Sequence, residues 1–136
     1  MGLMPKWLDR VLGRPGWPAL RGTPAVRRVK HYAALSGYAY EYFYAGYRDA
    51  GGRREYAFTV SGDRKKWFPL TVSLCAGAAE LWEQEHDRRL DDRERYALAK
   101  LALFSALDER PNPRAAQAPV EVTAETAASL LERLAL

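Results

Sequence analysis

The chain is poor in the residues from which small domains build staples and metal centres: one cysteine and two histidines in 136 residues. A lone Cys75 excludes an intramolecular disulfide, and with it a disulfide-built secreted scaffold; a reducing, cytoplasmic setting is the expectation. One cysteine with two well-separated histidines, His31 and His86, cannot supply a spaced zinc-ligand set, so no metal and no other cofactor is expected. No run approaches the ~20 apolar residues of a membrane span. Pro5, Lys6, Asp9 and Arg10 interrupt the opening residues, which do not read as a signal peptide, and Lys6 stands where a myristoylation signal requires Ser or Thr.

What is present is an ordinary globular composition, 48% hydrophobic and 28% charged, in a length suited to one core. The net charge of +4 is unevenly spread. Residues 21–66 hold ten Lys or Arg against four acids, whereas residues 76–110 hold six against nine. Such a division suits either an anionic partner or two halves that attract each other, and the second is the default.

Periodicity gives the elements. Met4, Trp7, Leu8, Val11 and Leu12 form a helical stripe, predicting an amphipathic helix over 1–14. Trp7, Leu8 and Val11, beside Lys6 and Arg10, are its partner-binding candidates; docking on its own domain is preferred, and peripheral membrane contact is not expected. Thr23-Pro24 is a helix-start signal, with Ala25, Val26, Val29, Tyr32 and Ala33 on one face and Gly37 as the stop; an extended lead-in is the alternative. From Tyr38 the period becomes two. Tyr38, Tyr40, Tyr42 and Tyr44, then Tyr56, Phe58 and Val60, then Phe68, Leu70, Val72 and Leu74 share one face of three strands separated by turns. Pro69 cannot donate to a ladder, so the third strand belongs at an edge or a bulge. Ala78, Leu81, Trp82, His86 and Leu90 follow a helical stripe. Asp91 or Asp92 then caps a helix to Glu109 that is apolar nearly all round and should cover the sheet, Leu101 and Phe104 lying against Phe58, Leu70 and Val72. Beyond Pro111-Asn112-Pro113, Thr123 caps a last helix carrying Ala127, Leu130, Leu131 and Leu134.

The expected fold is therefore α+β: a three-stranded antiparallel β-meander with helices packed on one face, in the order α-β-β-β-α-α plus short terminal helices. Residues 25–110 make the core domain, and residues 111–136 are a linker and C-terminal helix on the same core. The α-β-β-β-α order resembles, in outline, the double-stranded-RNA-binding domain. That family places lysines at the start of the helix after the sheet; here an acidic helix intervenes and the next one opens Asp91-Asp92-Arg93-Glu94.

Few residues form a chemical constellation. Tyr96-x-x-x-Lys100 has the spacing of a dehydrogenase tyrosine–lysine pair, but no glycine-rich dinucleotide turn accompanies it. Glu83-x-x-His86 lacks the second such motif a two-metal carboxylate site needs. Cys75 reads as a small buried hydrophobe. The tyrosine ladder could stack bases, yet tyrosine suits a half-buried pleat and the core is the better place for it. The basic residues carry more: Arg64, Lys65 and Lys66 of the second turn and Arg27, Arg28 and Lys30 before the first strand are the phosphate-binding candidates. The function expected is a non-enzymatic binding or accessory module whose partner is a protein or a nucleic acid. The alternative is a small enzyme or ligand-binding protein with a pocket between sheet and helices.

Overall fold

The computed structural model describes residues 19–134, so the helix expected over 1–14, with Trp7, Leu8 and Val11, lies outside the described residues. Four strands run consecutively: β1 (Lys30–Ala33), β2 (Ala39–Ala50), β3 (Arg53–Ser61) and β4 (Trp67–Leu74). Helices α1 (Glu80–His86) and α2 (Asp92–Glu109) follow, then β5 (Val120–Val122) and α3 (Ala124–Arg133). The sheet is five-stranded in the order β1-β2-β3-β4-β5, curled into a half-barrel. β1 to β4 are antiparallel and β5 lies parallel to β4, so the sheet is mixed.

This corrects the expected three-stranded meander at both edges. The segment expected as a helix after Thr23-Pro24 forms none: it bends at Ala25 and Val26, and its end is β1, in register with β2 from Lys30↔Tyr42 to Ala33↔Ala39. A carboxylate distant in sequence fixes that outcome. Asp108, near the end of α2, accepts from the Tyr32 hydroxyl at 2.8 Å and from the Leu35 N–H at 2.8 Å, while the Ser36 hydroxyl donates to the Leu107 carbonyl. Gly37 does have a positive φ of 98°, but it serves the β1–β2 turn rather than a helix end. At the other edge Val120-Glu121-Val122 pairs with Val72-Ser73-Leu74. Three alternating residues are too few to register as a strand against the Ala/Pro stretch before them. Arg110 organises that stretch by donating to the carbonyls of Ala116, Ala118 and Pro119. Pro69 lies outside the segment of β4 that β5 covers, so its missing N–H interrupts no ladder on that side.

The alternating pattern holds inside the sheet. Tyr40, Tyr42, Tyr56, Phe58, Val60, Leu70 and Val72 are buried on one face. The tyrosine ladder thus joins the core from Tyr40 to Tyr44, whereas Tyr38 is 38% exposed. The other face is buried too at Phe43, Ala57, Thr59, Ser61 and Ser73. α2 lies over β4 and β5, and aromatic rings fill the space between it and β2: Tyr44 and Tyr96 are 4.8 Å apart, Tyr42 and Phe104 5.6 Å. Leu98, Ala99, Leu103 and Leu107 are fully buried on α2. Leu101 and Phe104, expected to be buried, are only half so; Phe104 stacks on Tyr32 at 4.0 Å.

The helix ends follow their caps. α1 stops at Asp87 in the left-handed conformation, and α2 begins at a capping box in which Asp91 accepts from the Glu94 N–H and Glu94 accepts from the Asp91 N–H. Arg88 adds a bidentate grip on Glu94, 2.8 and 2.6 Å. Thr123 caps α3, whose Ala127, Leu130 and Leu131 are buried in the same core.

Leu103→Ala is expected to cost roughly 2–5 kcal/mol in a denaturant titration, as cavity-forming changes do, and Leu81→Ala, at a side chain 46% exposed, within about 0.5 kcal/mol. The Arg88 guanidinium, with the Asp91 N–H, holds the Glu94 carboxyl down at about 2. A depressed carboxyl contributes stability that is complete above its ordinary value and is lost as pH falls towards the folded one. The melting temperature of the wild type should therefore fall more than that of Glu94→Gln as the buffer is taken from pH 5 towards pH 2.

Candidate functional site

Where the basic segments come to lie is set by a bulge in β2. The register steps from Tyr44↔Phe58 to Gly46↔Ala57, leaving Ala45 as the extra residue. Its carbonyl accepts from the Thr23 hydroxyl at 2.8 Å, and Arg21 and Tyr47 exchange backbone hydrogen bonds of 2.7 and 2.8 Å. Gly46, at φ 129°, must stay small because a Cβ there would lie 2.8 Å from the Arg21 carbonyl oxygen and from Thr23 Oγ1. Residues 20–23 are thereby fastened beside β2, and the chain from there to β1 is exposed along its length.

The Arg27 guanidinium lies 4.5 Å over the Phe43 ring, and Phe43 is 5.6 Å from the ring of Trp67, the residue after Lys66. Two residues along β2, Glu41 lies 3.5 Å from Arg64 Nε and 3.3 Å from His31 Nε2. Both basic segments therefore reach the short stretch Glu41–Phe43, with Arg27 and Arg64 on the same face of the sheet. Lys30 does not join them there. It is paired with Tyr42, so its side chain belongs to the opposite face, where Lys100 lies 5.7 Å over the Tyr42 ring. Asp63 is consumed by its own turn, accepting from the backbone N–H groups of Lys65 and Lys66 at 2.9 and 2.8 Å. Arg28, Lys30, Lys65 and Lys66 have no hydrogen-bonded or ion-paired side-chain partner among the described residues. Sequence reasoning gave Glu41 no role and weighed His31 as a metal ligand; the signal for Glu41 is period-two alternation, which puts it on the same side as Phe43.

At the other end of the sheet the charges are paired. Arg54 binds Asp49 at 2.7 Å and Asp92 at 3.2 Å, Arg53 binds Glu121 at 2.9 Å, and Arg95 approaches Glu83 at 3.7 Å. Asp49, Arg53, Arg54, Glu83 and Arg95 line a cleft of about 860 Å³ between the β2–β3 turn, the end of β4 and α1, with Cys75 in its wall. The Cys75 thiol donates to Glu121 at 3.3 Å. Burial, then the Glu121 hydrogen bond and charge, push it above its ordinary value, so it is a poor nucleophile. His86 is turned away into a stack on Trp82 at 4.2 Å, its Nδ1 on the Trp82 carbonyl, and His31 is held at Glu41. Cys75, His31 and His86 therefore occupy three separate places. Among the described residues no cluster of three or more His, Cys, Asp or Glu is arranged to hold a metal ion, and no helix is long and apolar enough to cross a membrane.

No protein-family model, curated protein or solved structure matches the chain.

Glu121→Gln removes a negative charge from beside the thiol, so the Cys75 value should come down towards that of an ordinary cysteine. Alkylation of Cys75 by iodoacetamide at pH 8 is expected to be faster in Glu121→Gln than in the wild type; equal rates would mean that burial alone sets the thiol's reactivity.

Proposed function

We propose that this chain is a non-enzymatic binding module whose partner is anionic and is held at Arg27, Arg28, Lys30, Arg64, Lys65 and Lys66. One observation carries the reading: Asp92, Glu94 and Glu83 of the acidic half pair with Arg54, Arg88 and Arg95, while Arg28, Lys30, Lys65 and Lys66 stay exposed and outside any ion pair among the described residues. Mutual attraction of the two halves therefore does not absorb the basic excess. Exposed cations contribute little to stability, and a concentrated unpaired set raises the local concentration of anions. Separation of Cys75, His31 and His86 supports a module without acid–base or nucleophilic chemistry over an enzyme working in the cleft.

Polyglutamate and single-stranded DNA, each fluorescently labelled, test the charge requirement. At ~50 mM salt at least one is expected to bind, with affinity falling steeply as salt rises. Changing Arg28, Lys30, Lys65 and Lys66 together to Ala should reduce the log–log salt slope for DNA by up to about three units, at about 0.7 per phosphate neutralised, with melting temperature nearly unchanged. No binding of either probe, or an unchanged slope, would overturn the proposal.

A further inference from the structure

The basic segment runs into an edge of the sheet that no other described strand covers. β1 is the terminal strand, and its backbone pairing shows which groups it leaves free. Ala34 N–H bonds to the Tyr38 carbonyl at 2.9 Å. In an antiparallel ladder bonded pairs recur every second residue, so Tyr32–Tyr40 and Lys30–Tyr42 are bonded pairs, and His31 and Ala33 aim their N–H and C=O groups away from β2. No described residue meets those groups. Three apolar side chains flank the edge in the open, Val26 64% exposed, Val29 42% and Leu35 87%, and Arg27, Arg28, Lys30 and His31 are interleaved with them.

We infer that the anionic partner is a polypeptide: an extended acidic peptide segment that adds to the sheet as a strand along β1. The inference rests on the anionic-partner reading and specifies its chemistry. An edge of alternating donors and acceptors fits another peptide backbone, which answers both. A phosphate backbone supplies acceptors only, and would leave the His31 and Ala33 carbonyls facing like-charged oxygens. Val26, Val29 and Leu35 offer apolar contact that a phosphodiester cannot use. A second copy of this chain is a poor occupant, because pairing two β1 edges would bring Lys30, Arg28 and their copies together, the like-charge arrangement by which sheets avoid self-pairing. Charge complementarity leaves the acidic peptide.

The probe is a capped octapeptide of alternating Glu and Val, compared with the same peptide N-methylated at alternate backbone amides, and with single-stranded DNA. N-methylation removes strand hydrogen bonds and keeps the charge. The unmodified peptide is expected to bind and to protect the His31 and Ala33 amides from hydrogen exchange by about tenfold or more, whereas the methylated peptide should bind at least about tenfold more weakly. Ala33→Pro, which removes one outward donor and leaves the bonds to β2 intact, should weaken the unmodified peptide and leave DNA binding unchanged. If both peptides bind equally, or DNA binds and the peptide does not, strand addition is wrong while the anionic-partner reading survives. If none of the three binds at ~50 mM salt, both are wrong.

Discussion

One extra residue in β2 governs the arrangement of the described chain on its N-terminal side. A regular twelve-residue strand would spend all its inward backbone groups on β1 and β3. The bulge at Ala45 instead turns a carbonyl to Thr23 and puts Tyr47 in reach of Arg21, and Gly46 clears the space for both. With residues 20–23 anchored, the chain can only run along β2 towards its start, carrying Arg27 onto Phe43 and ending in β1. The bulge also shifts the alternation by one, so that Tyr47 faces Tyr56, 5.9 Å away, and the aromatic side of the sheet continues to its far end. Arg54 closes that end by lying 4.3 Å over the Tyr47 ring while gripping Asp49.

A second constraint, the Asp108 carboxylate, works at the opposite end. A four-residue strand pairing with one neighbour is marginal alone. Three acceptor contacts from a helix more than seventy residues later hold it, and burial, with the Asp108 hydrogen bond after it, pushes the Tyr32 hydroxyl up to about 12. The exposed edge is thus anchored on its inner side and open on its outer side, so a partner strand would find it already ordered.

The contrast between these elements explains what was legible in the sequence. Period-two alternation from Tyr38 to Leu74 identified β2, β3 and β4 because each is long enough for a pattern, and the Asp91–Glu94 box and Thr123 marked helix starts because caps are local chemistry. β1 was unreadable for a physical reason. Val26, Val29, Tyr32 and Ala33 fall at helical spacing, Thr23-Pro24 satisfies a helix start, and Gly37 suits either stop or turn; the decision between them lies in Asp108 and in the Ala45 bulge, which no local window contains. β5 was unreadable because three residues carry almost no periodicity and its support is the neighbouring strand β4. The basic candidates were legible as a composition, but their distribution between faces was not. Adding β1 reverses the chain once more, which brings Arg27 beside Phe43 and sends Lys30 to the tyrosine side.

That reversal decides what the surface can recognise. Six cations gathered on one face would be a featureless anion trap, reading charge density and nothing else. Divided by an edge strand, they flank a row of backbone donors and acceptors on both sides, with Arg27 on one face and Lys30, beside Lys100, on the other. A peptide strand presents its side chains alternately to those same two faces, so acidic residues at either parity would meet a cation, and the backbone between them would meet the edge. On the proposed reading the same cations also oppose pairing of the edge with its own copy. On the proposed reading, selectivity for an acidic strand and resistance to self-association follow from one arrangement, because both depend on the sign of the charge beside the outer edge of β1.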